Sequence, residues 1–471
     1  MGAAEARRTG TGEALARSGP HIGNRAGVPR RFLRHPAQVV VLAFGFAVLL
    51  GALLLSLPIA RTGPGGAPFI TALFTSTSAV CVTGLVVVDT PSYWSGFGEA
   101  VILGLIQVGG FGIMTFASLL GLLVSRRMGL RTRLTAAAET KAIGLGDVKR
   151  VLLGVVRISV LFEVVTAAIL AVRFATGYDE PIGRALYLGL FHAVSAFNNA
   201  GFALYSDSLM RFVEDPWVCL PIAIAVIAGG IGFPVLMELR RELRQPRRWS
   251  LHTKMTLTTT AALLAVGTVF VTASEWDNPA TFGALSTPGR LLAGFFHAVM
   301  PRTAGFNAVD YGQMTDGTLL GTTVLMFIGG GSAGTAGGIK VTTFVLLLFV
   351  ISSEVRGQRK VHAFDRQIEE RVTRQALTVA LLSVAAVMTS TLVLLQLTTH
   401  PTRDVLFEAT SAFATVGLST GITADLPTPA HLVLVALMFL GRLGPITLVS
   451  ALALRERQLM YELPEGRPII G

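Results

Sequence analysis

Phe295-Phe-His-Ala-Val-Met-Pro-Arg-Thr-Ala-Gly305 is one of four stretches in which a phenylalanine precedes a glycine by ten residues and an apolar residue follows the glycine. The other three run over 74–84, 191–201 and 407–417, so the four glycines are 117, 104 and 112 residues apart. A single match would mean nothing, but four in register indicate an internal repeat. The chain is therefore expected to consist of four related units.

Each stretch contains a short apolar segment that lies between two long ones. The short segments, over 69–80, 188–197, 291–300 and 405–413, have 9 to 12 residues, whereas a helix needs roughly 20 to cross a bilayer. The long segments cover 37–60, 97–125, 151–175, 217–239, 255–274, 318–351, 376–397 and 429–454. This pattern predicts an all-α polytopic membrane protein. It has four pseudo-symmetric membrane–pore–membrane repeats, with eight transmembrane helices and four re-entrant pore helices around one central pore.

The composition agrees with a membrane protein and excludes a soluble one. Of 471 residues, 52% are hydrophobic and only 14% are charged, with a mean hydropathy of +0.62, whereas roughly 25% charged residues is typical of soluble proteins. Two cysteines, Cys81 and Cys219, lie in or beside apolar segments, and they establish no disulfide framework.

The net charge of +11 is a topology signal. Most lysines and arginines lie in the amino-terminal arm, in the connections between repeats and in the carboxyl tail, so that face is predicted to be cytoplasmic with both termini. This distribution argues against a nucleic-acid patch. The predicted organisation is a disordered basic arm over 1–36, pore repeats over 37–130, 151–242, 253–353 and 373–456, and a tail over 457–471.

The position of the repeat glycines suits a cation. A dehydrated cation needs oxygen ligands, and backbone carbonyls supply them where the chain leaves a helix and turns toward an axis. Glycine permits the positive φ that such a turn requires. Each short segment precedes its glycine, so the carboxyl end of the half-helix, which carries a partial negative charge, would face the same place.

A glycine-rich segment interrupts the sixth long apolar segment. Six glycines fall within residues 329–338, and each costs about 1 kcal/mol relative to alanine in a helix. The segment is therefore predicted to break the helix and to form a mobile loop below the four glycines. A phosphate-binding loop is excluded because Ile339 precedes Lys340 and Val341 follows it, where the motif needs Gly-Lys-Ser/Thr.

The repeat motifs resemble those of the TrkH/KtrB superfamily of potassium transporters over about residues 34–471. The matching runs are Val82-Thr-Gly-Leu85, Asn198-Asn-Ala-Gly-Phe202, Pro301-Arg-Thr-Ala-Gly-Phe-Asn307 and Thr415-Val-Gly-Leu418. The resemblance implies a potassium-translocating subunit with one selectivity glycine per repeat. The implied filter residues are Val82, Thr83, Gly84, Asn199, Ala200, Gly201, Thr303, Ala304, Gly305, Thr415, Val416 and Gly417. Because only the fourth repeat has the Thr-Val-Gly run typical of tetrameric potassium channels, the filter is expected to be less regular.

The resemblance also implies a gate and partners. The implied gate residues are Gly329, Gly330, Gly331, Ser332, Gly334, Thr335, Gly337, Gly338, Lys340 and Arg442. The eight spans and the carboxyl end are more similar to KtrB than to TrkH. This likeness implies a homodimer in a bacterial cell membrane, in contact with lipid and with a cytosolic ring of nucleotide-binding regulatory subunits similar to KtrA and TrkA. K⁺ is the implied transported ion, with Na⁺ as an activating or coupled ion and no organic cofactor.

Several polar residues within apolar segments need a role. Arg442, inside the last span, is a functional candidate because an intramembrane arginine is expensive. We interpret it as a donor to carbonyls of the gate loop that holds the closed state, with a purely structural arginine as the alternative. Lys340 is left open between a gate role and a structural one. Glu163 is either a coupling-ion ligand or a paired packing residue.

Four further residues are interpreted as structural. Glu408 is placed at the start of the fourth half-helix, where a carboxylate favours the positive end. Arg302 is expected to brace the filter from behind. His192 and His297 are interpreted as packing donors rather than metal ligands.

The same sequence features bear on three other functions. A less selective Na⁺/K⁺ or proton-coupled cation transporter of the same superfamily is the alternative that stays open. A carrier built from two inverted halves is disfavoured, because the four units are parallel. An intramembrane enzyme is disfavoured because no cluster of histidines or acidic pair lies within a span.

Overall fold

The computed structural model describes residues 36–126, 145–358, 360–364 and 366–444. Nearly all of the predicted basic arm, the tail, and the end of the last predicted segment lie outside the described residues. Within these ranges the fold is helical, with one two-stranded antiparallel hairpin, β1 His362–Ala363 and β2 Arg366–Gln367. The helices are α1 Pro36–Leu55, α2 Phe69–Val80, α3 Thr90–Tyr93, α4 Gly96–Arg126, α5 Leu145–Gly177, α6 Ile182–Phe197, α7 Pro216–Ile231, α8 Phe233–Glu242, α9 Leu251–Glu275, α10 Thr287–Val299, α11 Asp316–Phe327, α12 Val341–Val355, α13 Glu370–Leu397, α14 Thr402–Ala414 and α15 Thr428–Leu443.

The four short apolar segments form the helices α2, α6, α10 and α14. The first has the predicted bounds, and the other three begin three to six residues earlier than predicted. Each ends shortly before its repeat glycine, and a proline lies at or next to the first residue of each helix, where its missing N–H costs nothing. The all-helical class predicted from hydropathy is confirmed.

The packing between repeats follows one rule. In each repeat, the helix of the second long apolar segment packs on the short helix of the next repeat: α4 on α6, α7 on α10, and α11 on α14. The last, α15, packs on α2 of the first repeat. The four short helices are therefore enclosed within a closed ring of contacts.

Burial agrees with this arrangement. The phenylalanines at 74, 191, 296 and 407 on the short helices are fully buried, whereas Phe46, Val172 and Val269 on α1, α5 and α9 are at least 64% exposed. Large apolar side chains on the outside of a protein suit a hydrocarbon environment. The core therefore lies on the short helices, and the long helices face outward.

Four helices among the described residues are long and apolar enough to cross a membrane, within α1, α5, α9 and α13. Helices α7 and α8 meet this criterion together, but they are bent by 100° at Gly232. Each of the eight predicted long segments contains helix. The number of crossings stays a prediction.

Two predicted segments are interrupted. The predicted break in 318–351 is present, because α11 ends at Phe327 and α12 begins only at Val341. The expectation of one continuous helix over 217–239 is wrong, because the chain bends at Gly232. There the carbonyl of Gly230 accepts the N–H of Gly331 at 2.7 Å, so a distant segment takes the place of the next helical turn.

Candidate functional site

The four repeat glycines share one backbone conformation. Their φ angles lie between +69° and +92°, and the residue two positions earlier also has a positive φ in every repeat. These earlier residues are Val82, Asn199, Thr303 and Thr415, with φ between 52° and 69°. A left-handed residue that is not glycine is uncommon and marks a constrained site. The sign of φ alternates along each strand, so neighbouring carbonyls turn toward the same side.

The glycines form a ring. A Cβ on Gly201 would lie 2.8 Å from the carbonyl oxygen of Ala304, and one on Gly305 would lie 2.5 Å from that of Val416. A Cβ on Gly417 would meet the carbonyl of Thr83, and one on Gly84 would meet that of Ala200. Each glycine therefore faces the carbonyl that precedes the next glycine, in the order 84, 201, 305, 417 and back to 84. Any side chain would displace one of these carbonyls.

Serines behind the ring hold the N–H groups. The N–H of Gly84 donates to Ser78 Oγ at 3.0 Å, and the N–H of Gly417 donates to Ser411 Oγ at 3.1 Å. The N–H of the residue before the glycine donates to the serine carbonyl at 2.7–2.8 Å in three repeats. These serine contacts were not predicted. The signal that could have indicated them is a serine six positions before the glycine in three repeats, at 78, 195 and 411. The N–H groups of Gly84, of Gly417 and of the residue before the glycine in three repeats are thus bonded behind the strands, so the carbonyl oxygens there are left to face the axis.

The third repeat departs from this pattern. It has Val299 in place of the serine, and the N–H of Ala304 donates to Met300 O at 3.0 Å. Arg302 is 7% exposed, and its guanidinium donates to Gly329 O at 3.3 Å and to Thr260 Oγ1 at 3.4 Å. It therefore reaches the start of the glycine-rich segment. The third strand is thus supported differently from the other three, and the expectation of a less regular filter stays a prediction.

A cavity of about 430 Å³ adjoins the ring. It is lined by all four glycines and by residues that follow them, including Asp89, Asn307 and Asp310. The oxygens of these side chains and of the neighbouring backbone make the mouth polar. A hydrated cation would therefore meet acidic and carbonyl groups before it reached the ring.

The two histidines of the short helices fasten the strands that leave the ring. His192 Nε2 accepts the N–H of Leu204 at 3.3 Å, and His297 Nε2 accepts the N–H of Ala308 at 3.3 Å. In both repeats, the residue whose N–H is bound lies three positions after the repeat glycine. The interpretation of these histidines as packing groups agrees with these contacts, and the described residues contain no group of three potential metal ligands.

The glycine-rich segment 328–340 lies on the opposite side of the ring from the cavity. A Cβ on Gly337 would meet Thr415 Oγ1, and one on Gly338 would lie 3.2 Å from the side chain of Ala414. Thr335 Oγ1 is 2.8 Å from the side-chain amide of Asn199. These contacts are with residues that precede the repeat glycines. The segment therefore covers the end of the ring that faces away from the cavity.

Two basic side chains bind this segment. Arg442, 4% exposed, donates through one NH group to Thr335 O and through the other to Gly109 O at 3.0 Å. Lys340 donates from Nζ back to Ala336 O and to Gly337 O at 3.5 Å. Ser332 instead contacts Thr342 of α12 at 3.0 Å. Of the predicted gate residues, Thr335, Gly337 and Gly338 thus contact residues that precede the repeat glycines, whereas Ser332 contacts α12.

The carboxylates of Glu163 and Glu408 are both buried, but their surroundings differ. Glu163, 6% exposed, accepts hydrogen bonds from Gln107 and Asn198. Glu408 is fully buried and accepts the hydroxyl of Thr423. Its predicted place at the start of the fourth half-helix is wrong, because α14 begins at Thr402 and the first-turn carboxylate is Asp404. The short apolar run used to place the helix start omits its polar first turn.

Comparisons with known proteins give the following similarities. The TrkH family model, described as a cation transport protein, matches residues 39–461. The chain is similar to Ktr system potassium uptake protein B of Bacillus subtilis (strain 168), with 42% identity over 93% of this chain and 97% of that protein. It is 38% identical to the protein of that name from Vibrio alginolyticus, over 92% of this chain and 94% of that one. The crystal structure of the potassium transporter TrkH from Vibrio parahaemolyticus has a TM-score of 0.70 at 17% identity, covering 90% of this chain and 86% of that one.

Proposed function

Because this chain belongs to the TrkH family of cation transport proteins, we propose that it is a potassium uptake transporter whose ion path passes through the ring of four glycines. Membership of a transport family confirms the prediction of a transporter rather than an enzyme. Potassium is the proposed ion because both relatives described above are named as potassium uptake proteins.

The ring of glycines is the observation that carries the proposal. Four strands with positive φ at the glycine bring four carbonyls to one axis. Such carbonyls can replace the water around a dehydrated cation. The carboxyl ends of α2, α6, α10 and α14 add partial negative charge at the same place. The membrane potential would drive uptake, since it is worth about 2.3 kcal/mol per charge for 100 mV.

The glycine-rich segment is the proposed gate. It covers the end of the ring that faces away from the cavity, and the positive groups of Arg442 and Lys340 lie beside it. In this state the segment blocks the path and the two cations oppose entry of another. Displacement of the segment would open the path.

The assembly is proposed on the resemblance and on the relatives' names. The word system in those names fits several components. We propose a homodimer in the bacterial cell membrane, with both termini cytoplasmic and a cytosolic ring of nucleotide-binding regulatory subunits. Na⁺ is proposed as an activating or coupled ion.

Ion flux in proteoliposomes tests the proposal. Wild-type protein is expected to pass K⁺ faster than Na⁺. Gly305→Ser is expected to lower that preference, because its side chain would displace the carbonyl of Val416. Gly104→Ala is the matched control, since nothing lies within 4 Å of a Cβ there. Equal passage of both ions, unchanged by Gly305→Ser, would contradict the filter and favour a non-selective cation transporter of this family.

A further inference from the structure

Three polar side chains meet behind the second strand of the ring. Gln107 on α4 donates from Nε2 to both carboxylate oxygens of Glu163, at 3.0 and 3.1 Å. Asn198 donates from Nδ2 to Gln107 Oε1 at 2.7 Å and to Glu163 Oε1 at 3.3 Å. We call these three residues the amide–carboxylate cluster. It joins a helix of the first repeat to two helices of the second.

The cluster touches the point where helix α6 becomes the strand of the ring. Asn198 is the C-cap of α6, and its Nδ2 also donates to Val194 O in the last turn at 2.9 Å. The next residue, Asn199, has the positive φ that begins the turn toward Gly201. The orientation of the Asn198 side chain therefore bears directly on the start of the strand.

The carbonyl side of the Asn198 amide, Oδ1, packs against helix α4. A Cβ on Gly110 would collide with Asn198 Oδ1, so α4 lies directly against this oxygen. The amide is held between α4 on one side and Glu163 on the other. The strand cannot shift without breaking contacts to both.

The surroundings of Glu163 decide between its two earlier interpretations. Its oxygens face N–H donors, whereas a cation would need the neighbouring oxygens turned toward it, and Asn198 Oδ1 faces Gly110 instead. No lysine or arginine of the described ranges forms an ion pair with it. A buried carboxylate without a cation partner is expensive unless hydrogen bonds compensate. The group therefore serves as an acceptor that orients amides.

Starting from the proposed function, we propose that Glu163 is a positioning residue for K⁺ selectivity, which acts through Gln107 and Asn198 on the second strand of the ring. Without the carboxylate, the Asn198 amide loses a charge-assisted acceptor and the turn at Asn199 loses its support. The carbonyls before Gly201 then no longer hold one geometry. The prediction is a change in selectivity with the ring residues themselves intact.

The test compares K⁺ and Na⁺ flux in proteoliposomes for Glu163→Gln and for the exchange Glu163→Gln with Gln107→Glu. Loss of a hydrogen bond to a charged group costs about 1.5 kcal/mol or more. If that free energy holds the second strand in its K⁺-selective geometry, the K⁺/Na⁺ flux ratio is expected to fall about tenfold. The exchange variant keeps one carboxylate and one amide in contact with Asn198, and it is expected to restore most of the ratio.

Glu275→Gln is the matched control. Glu275, at the end of α9, is also fully buried, and among the described residues it accepts hydrogen bonds from neutral groups that include Asn278, Thr281 and Thr315. Its substitution is expected to leave the ratio unchanged even where it lowers thermal stability.

The outcomes separate this proposal from the one on which it rests. A wild type that does not prefer K⁺ would overturn the proposed function. A selective wild type whose ratio survives Glu163→Gln, or an exchange variant that folds without restoring the ratio, would overturn the role of Glu163. Loss of folded protein in both variants, measured by size-exclusion chromatography, would assign the cluster to stability alone and overturn that role as well.

Discussion

Arg442 is where the proposed gate can be tested most directly. Its guanidinium donates to Thr335 O and, at 3.0 Å, to Gly109 O, so it joins the glycine-rich segment to α4. Hydrogen bonds to a charged group contribute about 1.5–3 kcal/mol each. Two of them, taken at the low end because water can replace them in an open path, stabilise the closed state by about 3 kcal/mol. Arg442→Ala is therefore expected to raise basal K⁺ flux about a hundredfold.

The control and the conservative variant separate hydrogen bonding from charge. Arg290→Ala removes a guanidinium that also donates to two backbone carbonyls, of Gly283 and Leu285, and it is expected to leave flux unchanged. Arg442→Lys keeps the charge but lacks the planar fork that reaches two acceptors, so an increase of about tenfold is expected if one bond is lost. The assay is flux into proteoliposomes without regulatory partner. Unchanged or lower flux in Arg442→Ala, in protein that remains folded, would refute the gate.

Substitutions at Gly441, at Ser411 with Ser195 as its control, and at Glu214 give three further predictions. Gly441→Ala would force a methyl group against the last turn of α14, so the melting temperature should fall by the amount that about 1–3 kcal/mol of overpacking implies. Ser411→Ala removes the acceptor of a ring N–H and should lower the K⁺/Na⁺ flux ratio, whereas Ser195→Ala, whose hydroxyl has no partner among the described residues, should not. Hydrogen bonds from Ser286 hold the pKa of Glu214 below its usual value, which stabilises the fold above the pKa of the unfolded chain. The difference in melting temperature between wild type and Glu214→Gln should therefore shrink as the pH falls through the lowered pKa of Glu214.

The parts of the fold that depend on local sequence were predictable. The short helix over 69–80 and the break after Phe327 follow from the length of an apolar run and from glycine density, which are properties of a few consecutive residues. The spacing of the repeats also located the four glycines, whose positive φ is shared in the structure. Because the repeat occurs four times, the four copies can be aligned with one another, and a glycine that is present in all four stands out.

The parts that depend on distant partners were not predictable. Nothing near Arg302 in the sequence indicates that its guanidinium reaches Gly329. The cluster around Glu163 joins residues 107, 163 and 198, which no motif connects. The ring contacts between repeats are of the same kind, since each glycine faces a carbonyl more than a hundred residues away, and Gly417 faces that of Thr83 at the other end of the chain. Local sequence patterns thus predict where the backbone departs from regular helix, whereas the contacts of those segments depend on the tertiary fold.

The bend at Gly232 shows how two unusual segments satisfy each other. In a straight helix the carbonyl of Gly229 would accept the N–H of Phe233, but that of Gly230 would have no donor because Pro234 lacks an N–H. Here the two carbonyls accept the N–H groups of Thr335 and Gly331, at 3.2 and 2.7 Å. The N–H of Phe233, at the start of α8, donates in turn to Ala333 O at 3.2 Å. At membrane depth every backbone group needs such a partner, so the segment cannot leave unless water reaches the carbonyls that it exposes. If the segment is the gate, we therefore expect its opening to admit water to the carbonyls of Gly229 and Gly230.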